Sequence, residues 1–193
     1  MLTVGKAEMY ELIIYAFCLT AFLVLLHKYK KKIAILVMAV GLLVLIDPRH
    51  NDGLLVTFLD VGQGDAIYME SESGTTYLID GGSSDVSKAG IYRITPFLLS
   101  RGKDVLDFAI VTHSDKDHIS GLIELINNSK IKLKYLILPD IAVKDEAYLA
   151  LEELAYKNGI TVRYISAGDS LRDGLLLINC LHPIEGYQPA NNN

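Results

Sequence analysis

Within six residues, His113-Ser114-Asp115-Lys116-Asp117-His118 brings together two imidazoles and two carboxylates. Imidazole nitrogen combined with carboxylate oxygen suits zinc, manganese or another first-row dication better than a thiolate site would. Alternate residues of an extended segment point the same way. An extended reading therefore projects His113, Asp115 and Asp117 together, and the turn into a following helix brings in His118. Two dications held a few ångströms apart can activate water and stabilise the leaving oxygen of a phosphodiester. The same residues also suit a polar loop that opens a helix, because Asp is favourable near a helix N-terminus with or without metal.

The flanking elements would fix this cluster in place. Phe108 to Thr112 is an apolar strand ending at the first histidine, and ligands gather at the ends of such strands. Behind the cluster, Ile119 to Asn127 carries Ile119, Leu122, Ile123, Leu125 and Ile126 at helical spacing. Upstream, Leu54 to Asp60 is a β-rich run bounded by Asn51-Asp52-Gly53 and Gly62-Gln63-Gly64. Ala66 to Glu70 and Thr75 to Asp80 read as two further strands joined by the turn-forming Ser71-Glu72-Ser73-Gly74. These three runs predict an antiparallel meander. Ile91 to Ser100 reads as a helix despite Pro96. Downstream, Tyr135 to Leu138 is a strand, Asp145 to Lys157 a helix, Thr161 to Ile165 a strand, and Leu175 to Leu181 closes the pattern. A meander followed by alternating strand and helix predicts an α/β fold with sheets covered by helices.

The chain is 51% hydrophobic, high for a purely soluble domain, and the excess lies in the first 47 residues. Leu12 to Leu26 and Ile33 to Ile46 are apolar runs separated by His27-Lys28-Tyr29-Lys30-Lys31-Lys32. Each is shorter than the roughly 20 residues of a comfortable membrane span. Met9 and Tyr10 lengthen the first, and the lysines can snorkel from the ends of both. Residues 1–48 are expected to form a transmembrane helical hairpin. The positive-inside bias puts its lysine tip in the cytoplasm and the globular domain, residues 51–193, on the extracytoplasmic side. A signal peptide fits poorly, because the positive charge follows the apolar run while Glu8 and Glu11 precede it. A buried core hairpin would need a covering layer that the remaining sequence does not obviously supply.

Charge divides near Pro48 as well. Residues 1–50 carry six Lys/Arg against three Asp/Glu, and residues 51–193 carry twelve against twenty. An acidic domain is a poor non-specific binder of nucleic acid, but it suits the gathering of divalent cations as well as simple solubility. Cys18 and Cys180 are too far apart in sequence to define a disulfide framework or a zinc–thiolate site.

The chain resembles the metallo-β-lactamase superfamily, whose signature is His-x-His-x-Asp-His after a strand. Here Asp115 stands where the second His would be. That departure is similar to the C-terminal domain of ComEC-type competence proteins, the DNA-uptake channels of transformable bacteria. The resemblance also rests on Phe58-Leu59-Asp60-Val61-Gly62-Gln63-Gly64-Asp65-Ala66 and on Leu78-Ile79-Asp80-Gly81-Gly82. It implies an αββα sandwich, truncated, with the C-terminal part of the domain missing after Asn193. It implies His113, Asp115 and His118 as metal ligands, and Asp117 as a ligand of a second metal or the catalytic base that orients water. It implies His182 as a further ligand. Asp80 would support the ligands, and Asp60 and Asp65 would lie near them. Two divalent ions, zinc or manganese, are implied for a complete domain, and this span is expected to hydrolyse poorly or not at all.

Three functions are compatible with these residues. The first is a phosphodiesterase or nuclease acting on incoming DNA at the uptake channel, with the membrane, the remaining channel helices and other competence proteins as partners. The second is a non-catalytic scaffold that guides DNA. The third is a stand-alone membrane-tethered hydrolase of a small ester or phosphoester.

Overall fold

The computed structural model describes residues 6–28, 30–46, 53–127, 130–184 and 186–188. The chain divides into two compact units: Met1–Arg49 with Leu99–Lys103, and His50–Leu98 with Asp104–Asn193. The boundary expected near Pro48 falls outside the described residues.

In the first unit, the two apolar runs form helices α1 (Met9–His27) and α2 (Lys31–Ile46). The side chain of Glu11 accepts from Glu8 N at 2.6 Å and so satisfies a free donor at the start of α1. The helices meet through small residues that let backbones approach: Cys18 and Ala34 are buried, and Gly41 faces Cys18. Their other faces are apolar and bare, with Phe17 73% and Leu43 66% exposed. Of the described helices, α1 alone is long and apolar enough to cross a membrane. At 16 residues α2 is about 24 Å long, shorter than a hydrocarbon core of about 30 Å.

The second unit is built on a six-stranded sheet in chain order. Strands β1 (Leu55–Phe58), β2 (Ile67–Glu70) and β3 (Thr76–Ile79) form the expected antiparallel meander. Strands β4 (Val105–Ile110), β5 (Lys132–Pro139) and β6 (Thr161–Ile165) then add in parallel. Parallel neighbours need crossovers. One is helix α3 (Thr95–Ser100), entered through a single π turn at Gly90–Ile94. The others are α4 (Lys116–Asn127) and α5 (Glu146–Lys157). Period-2 alternation puts Tyr68, Leu78, Ala109, Leu136 and Val162 in one register row, and all five are buried. Helix α4 buries Ile119, Leu122, Leu125 and Ile126, the stripe read from spacing. Helix α5 starts one residue after the expected position because Asp145 caps it, accepting from Tyr148 N at 2.7 Å.

On the opposite face Tyr77, Phe108 and Tyr135 stack with centroids 5.2 and 5.1 Å apart. A second, two-stranded sheet pairs β7 (Ser170–Asp173) with β8 (Leu176–Asn179). Only β8 was expected. Three of the four residues of strand β7 are polar, and Asp173 fastens it from a distance, accepting from Ser71, from Ser73 and from the Tyr77 hydroxyl. The Ser71 bond, with those from Ser73 and Tyr77, holds the Asp173 carboxyl below the usual carboxylate range.

The meander is tied to the parallel half by Asp107. Its Oδ2 accepts from both Thr76 N and Thr76 Oγ1 at 2.9 Å, and its Oδ1 accepts from Lys134 Nζ at 2.7 Å. Burial pushes the Asp107 carboxyl up, but Lys134 and Thr76 outweigh it and leave it below the ordinary value. A depressed folded-state value stabilises the fold above the unfolded carboxylate pKa, about 3.9, and that contribution is lost as pH falls through the folded value. Asp107→Asn is expected to cost roughly 2 kcal/mol at pH 7, and its gap from wild type should narrow as pH falls below the ordinary carboxylate range. Thermal unfolding of both proteins across that range checks this; a gap independent of pH would contradict it.

Candidate metal centre

Strand β3 and strand β4 lie side by side and end together, so Asp80 and the segment Val111–Asp115 emerge at one edge of the sheet. The backbone of Asp80 continues the pairing, its N–H donating to Ile110 O at 2.8 Å. Its carboxylate is 5% exposed and fully engaged. Oδ1 accepts from Thr112 N at 2.8 Å, and Oδ2 accepts from Thr112 Oγ1 at 2.7 Å. The same Oδ2 lies 2.9 Å from His118 Nδ1. Asp80 is therefore the hub that joins strand end, loop and helix.

The cluster itself is half loop and half helix. His113 and Asp115 are in the loop, whereas Asp117 and His118 occupy the first turn of α4. The carbonyl of Asp115 accepts from His118 N at 2.9 Å and Ile119 N at 3.2 Å, so helical winding begins there. The extended projection of Asp117 is thereby corrected: the helix turns it away from the alternation that His113 and Asp115 follow. The two imidazoles nonetheless come together, with centroids 3.8 Å apart and planes tilted by 47°. His113 Nε2 lies 3.4 Å from Asp115 Oδ2, and His118 Nε2 lies 3.9 Å from Asp117 Oδ2.

Bond lengths of about 2.0–2.1 Å in a tetrahedral site put neighbouring donor atoms roughly 3.4 Å apart. The His113–Asp115 pair has that spacing, and His118–Asp117 is half an ångström wider. In donor type and pairwise spacing the residues fit a divalent ion. Among the described residues, no three His, Cys, Asp or Glu side chains converge to hold one.

The remaining expected residues fall at different distances from this centre. Asp65 is adjacent, its Oδ2 3.8 Å from His118 Nδ1. Asp60 turns inward on its own loop, accepting from Gly62 N at 3.3 Å, and is not brought to the histidines. His182 lies at the same sheet edge, lining a cavity of about 340 Å³ with Ile79, Ile110, Ile137 and Ile165. Its ring meets Tyr187 edge-on at 4.3 Å and does not complete a three-donor set with the loop.

The glycine motifs act through backbone proximity. Gly81 N donates to His118 O at 2.7 Å, Gly82 N to Asp65 O, and Asp65 N to Asp117 O, both at 3.2 Å. A Cβ on Gly82 would stand 2.5 Å from His118 N, and one on Gly64 would stand 2.4 Å from Gly82 O. Three segments thus cross with no room for side chains. Four contributors escaped the sequence reading. Thr112 binds Asp80, and Ser120 Oγ accepts from Ser83 N at 2.9 Å. Ser114 Oγ donates to Asp145, and Asp85 accepts from Gln63 N at 2.7 Å and from Ser83 Oγ at 3.0 Å. The Gln63 bond, then that from Ser83, holds the Asp85 carboxyl below its usual range. Only Thr112 had a local signal, a hydroxyl between strand and histidine.

The family model described as metallo-beta-lactamase superfamily matches residues 59–165. The chain is also similar to ComE operon protein 3 of Bacillus subtilis (strain 168), at 26% identity over 210 residues. That match covers 99% of this chain and 27% of the relative, so the chain spans about a quarter of that protein. Two solved structures are similar in fold. The metallo-beta-lactamase fold protein YhfI from Bacillus subtilis has 19% identity and a TM-score of 0.44, over 64% of this chain and 50% of its own. The metallo-beta-lactamase SMB-1, solved with mercaptoacetic acid, has 14% identity and a TM-score of 0.42, over 69% and 54%.

The tight crossing predicts a sharp contrast between glycines. Gly82→Ala should destabilise the fold by about 3 kcal/mol, because backbone must move. Gly74→Ala, with nothing within 4 Å and a φ of +85°, should cost about 1 kcal/mol of strain. Chemical denaturation of the two variants measures the difference; equal losses would show that Gly82 is not confined.

Proposed function

We propose that this chain, which belongs to the metallo-beta-lactamase superfamily, carries a metal-dependent phosphodiesterase or nuclease domain of a DNA-uptake channel. The observation that carries the reading is the pair of adjoining histidines, His118 on Asp80 and His113 on Thr112, each with a carboxylate near its Nε2. His113 with Asp115 and His118 with Asp117 would hold divalent ions, zinc or manganese by donor chemistry. A bound ion would supply Lewis acidity toward a phosphoester oxygen. Asp117, 36% exposed at the start of α4, is the carboxylate best placed to accept a proton from attacking water. The similarity to ComE operon protein 3 along nearly the whole chain supports a place in competence machinery, with DNA, the remaining channel helices and other competence proteins as partners.

The apolar hairpin supports association with the membrane. The globular unit is assigned to the extracytoplasmic side because the lysines lie at the hairpin tip. Cysteine introduced at Glu72 of a cysteine-free chain should react with an impermeant maleimide added to intact cells, and cysteine introduced at Lys30 should react only after lysis. The reverse pattern would invert the assignment.

A scaffold without catalysis has one observation in its favour, the lack of a third donor among the described residues. Metal content separates the two readings. After zinc or manganese loading and removal of free ion, the purified chain should retain at least one equivalent by mass spectrometry, and His113→Ala and Asp117→Ala should each lower it. A wild-type chain that retains none would leave only the scaffold.

A further inference from the structure

A histidine ligand is useful only when the nitrogen facing the metal has its lone pair free, and the partner of the other nitrogen decides this. His118 has a direct partner, because Nδ1 lies 2.9 Å from Asp80 Oδ2. Among the described residues, no carboxylate lies at Nδ1 of His113. That atom lies 2.9 Å from Thr112 Oγ1.

The hydroxyl of Thr112 has one proton to give. It faces two acceptor-capable atoms, Asp80 Oδ2 at 2.7 Å and His113 Nδ1 at 2.9 Å. A carboxylate oxygen accepts only, so the proton goes to Asp80 and the Thr112 oxygen is left as an acceptor. The contact with His113 is then a hydrogen bond only if Nδ1 carries a proton. Thr112 N donates to Asp80 Oδ1 at 2.8 Å and fixes the residue between the carboxylate and the ring. We propose that Thr112 is a positioning residue that sets His113 in the Nδ1–H form, relaying the charge of Asp80 to a ring that Asp80 does not touch. One buried carboxylate thereby sets both imidazoles in the same tautomer, which puts the lone pair of a neutral ring at Nε2, beside the side chains of Asp115 and Asp117. The use of those lone pairs for metal rests on the proposed function, whereas the tautomer does not.

The two parts are read separately in the full chain in detergent micelles. Histidine 15N labelling of the chelator-treated protein, with His113 assigned by the loss of its signal in His113→Gln, reports which nitrogen is protonated. Wild type should show His113 and His118 both as Nδ1–H. Thr112→Val, which keeps the shape and removes the hydroxyl, should shift His113 toward Nε2–H and leave His118 unchanged; Thr112→Ser should restore the wild-type spectrum. An Nε2–H His113 in wild type, or a Val variant with the wild-type tautomer, overturns the proposal. Cobalt(II) titration followed by the d–d absorption then tests the use of the lone pair. Affinity should fall about tenfold in Thr112→Val and recover in Thr112→Ser. A wild type that binds no cobalt(II) but shows the Nδ1–H form would sink the metal reading and support this one.

Discussion

The carboxylate of Asp80 sits almost out of solvent at a backbone position that ordinary residues avoid. Its φ is +56°, in the left-handed region, which costs a side chain about 1 kcal/mol or more. Such a conformation persists when its surroundings over-determine it. Here they do: the main chain is pinned by Asp80 N to Ile110 O, and the side chain takes three polar partners from beyond the strand. A buried carboxylate without partners would be expensive. Strand end, loop and helix start are consequently held as one body, since moving any of them leaves that charge uncompensated.

The close glycine crossings have the same origin. For Thr112 and His118 to reach one carboxylate, the 111–113 loop and the first turn of α4 must converge on the chain after β3. The space left over is one backbone wide. Gly64 and Gly82 fill it, and the backbone N–H groups of Gly81, Gly82 and Asp65 donate to the carbonyls of His118, Asp65 and Asp117. Ser83, Ser120 and Asp85 then close the periphery. Tight backbone packing and directed imidazoles are therefore two consequences of a single anchor.

What was legible in the sequence was what local pattern controls. The strand runs of β1 to β3, the apolar stripe of α4 and the body of α5 all depend on neighbours within a few residues. The donor types in 113–118 were legible for the same reason. Contacts between distant residues were not legible. Thr112 meets Asp80 across 32 positions and Asp173 meets Ser71 across 102, and no spacing rule announces either. Strand β7 escaped because three of its four residues are polar and it is secured by one aspartate rather than by an apolar face. The placement of Asp117 was misread because the strand was extrapolated past its end, whereas the Asp115 carbonyl had already started a helix. Asp60 was expected near the centre because it shares a motif with Asp65, yet its side chain satisfies its own turn.

Two donor pairs that share one anchor differ in kind from a four-donor cage. The anchor lies beneath the rings, and the flanking carboxylates lie toward solvent, with Asp115 66% and Asp117 36% exposed. Ring orientation is held by bonds within the protein, so the geometry does not depend on an ion to impose it, and binding would require little further ordering. A tetrahedral ion takes four ligands, and either pair supplies two. Any ion held there would keep open positions on the solvent side, where oxygen ligands of water or a phosphoester can enter. On the proposed reading, preorganisation beneath and openness above would suit such an ion to chemistry rather than to a structural role, in which the protein closes every position.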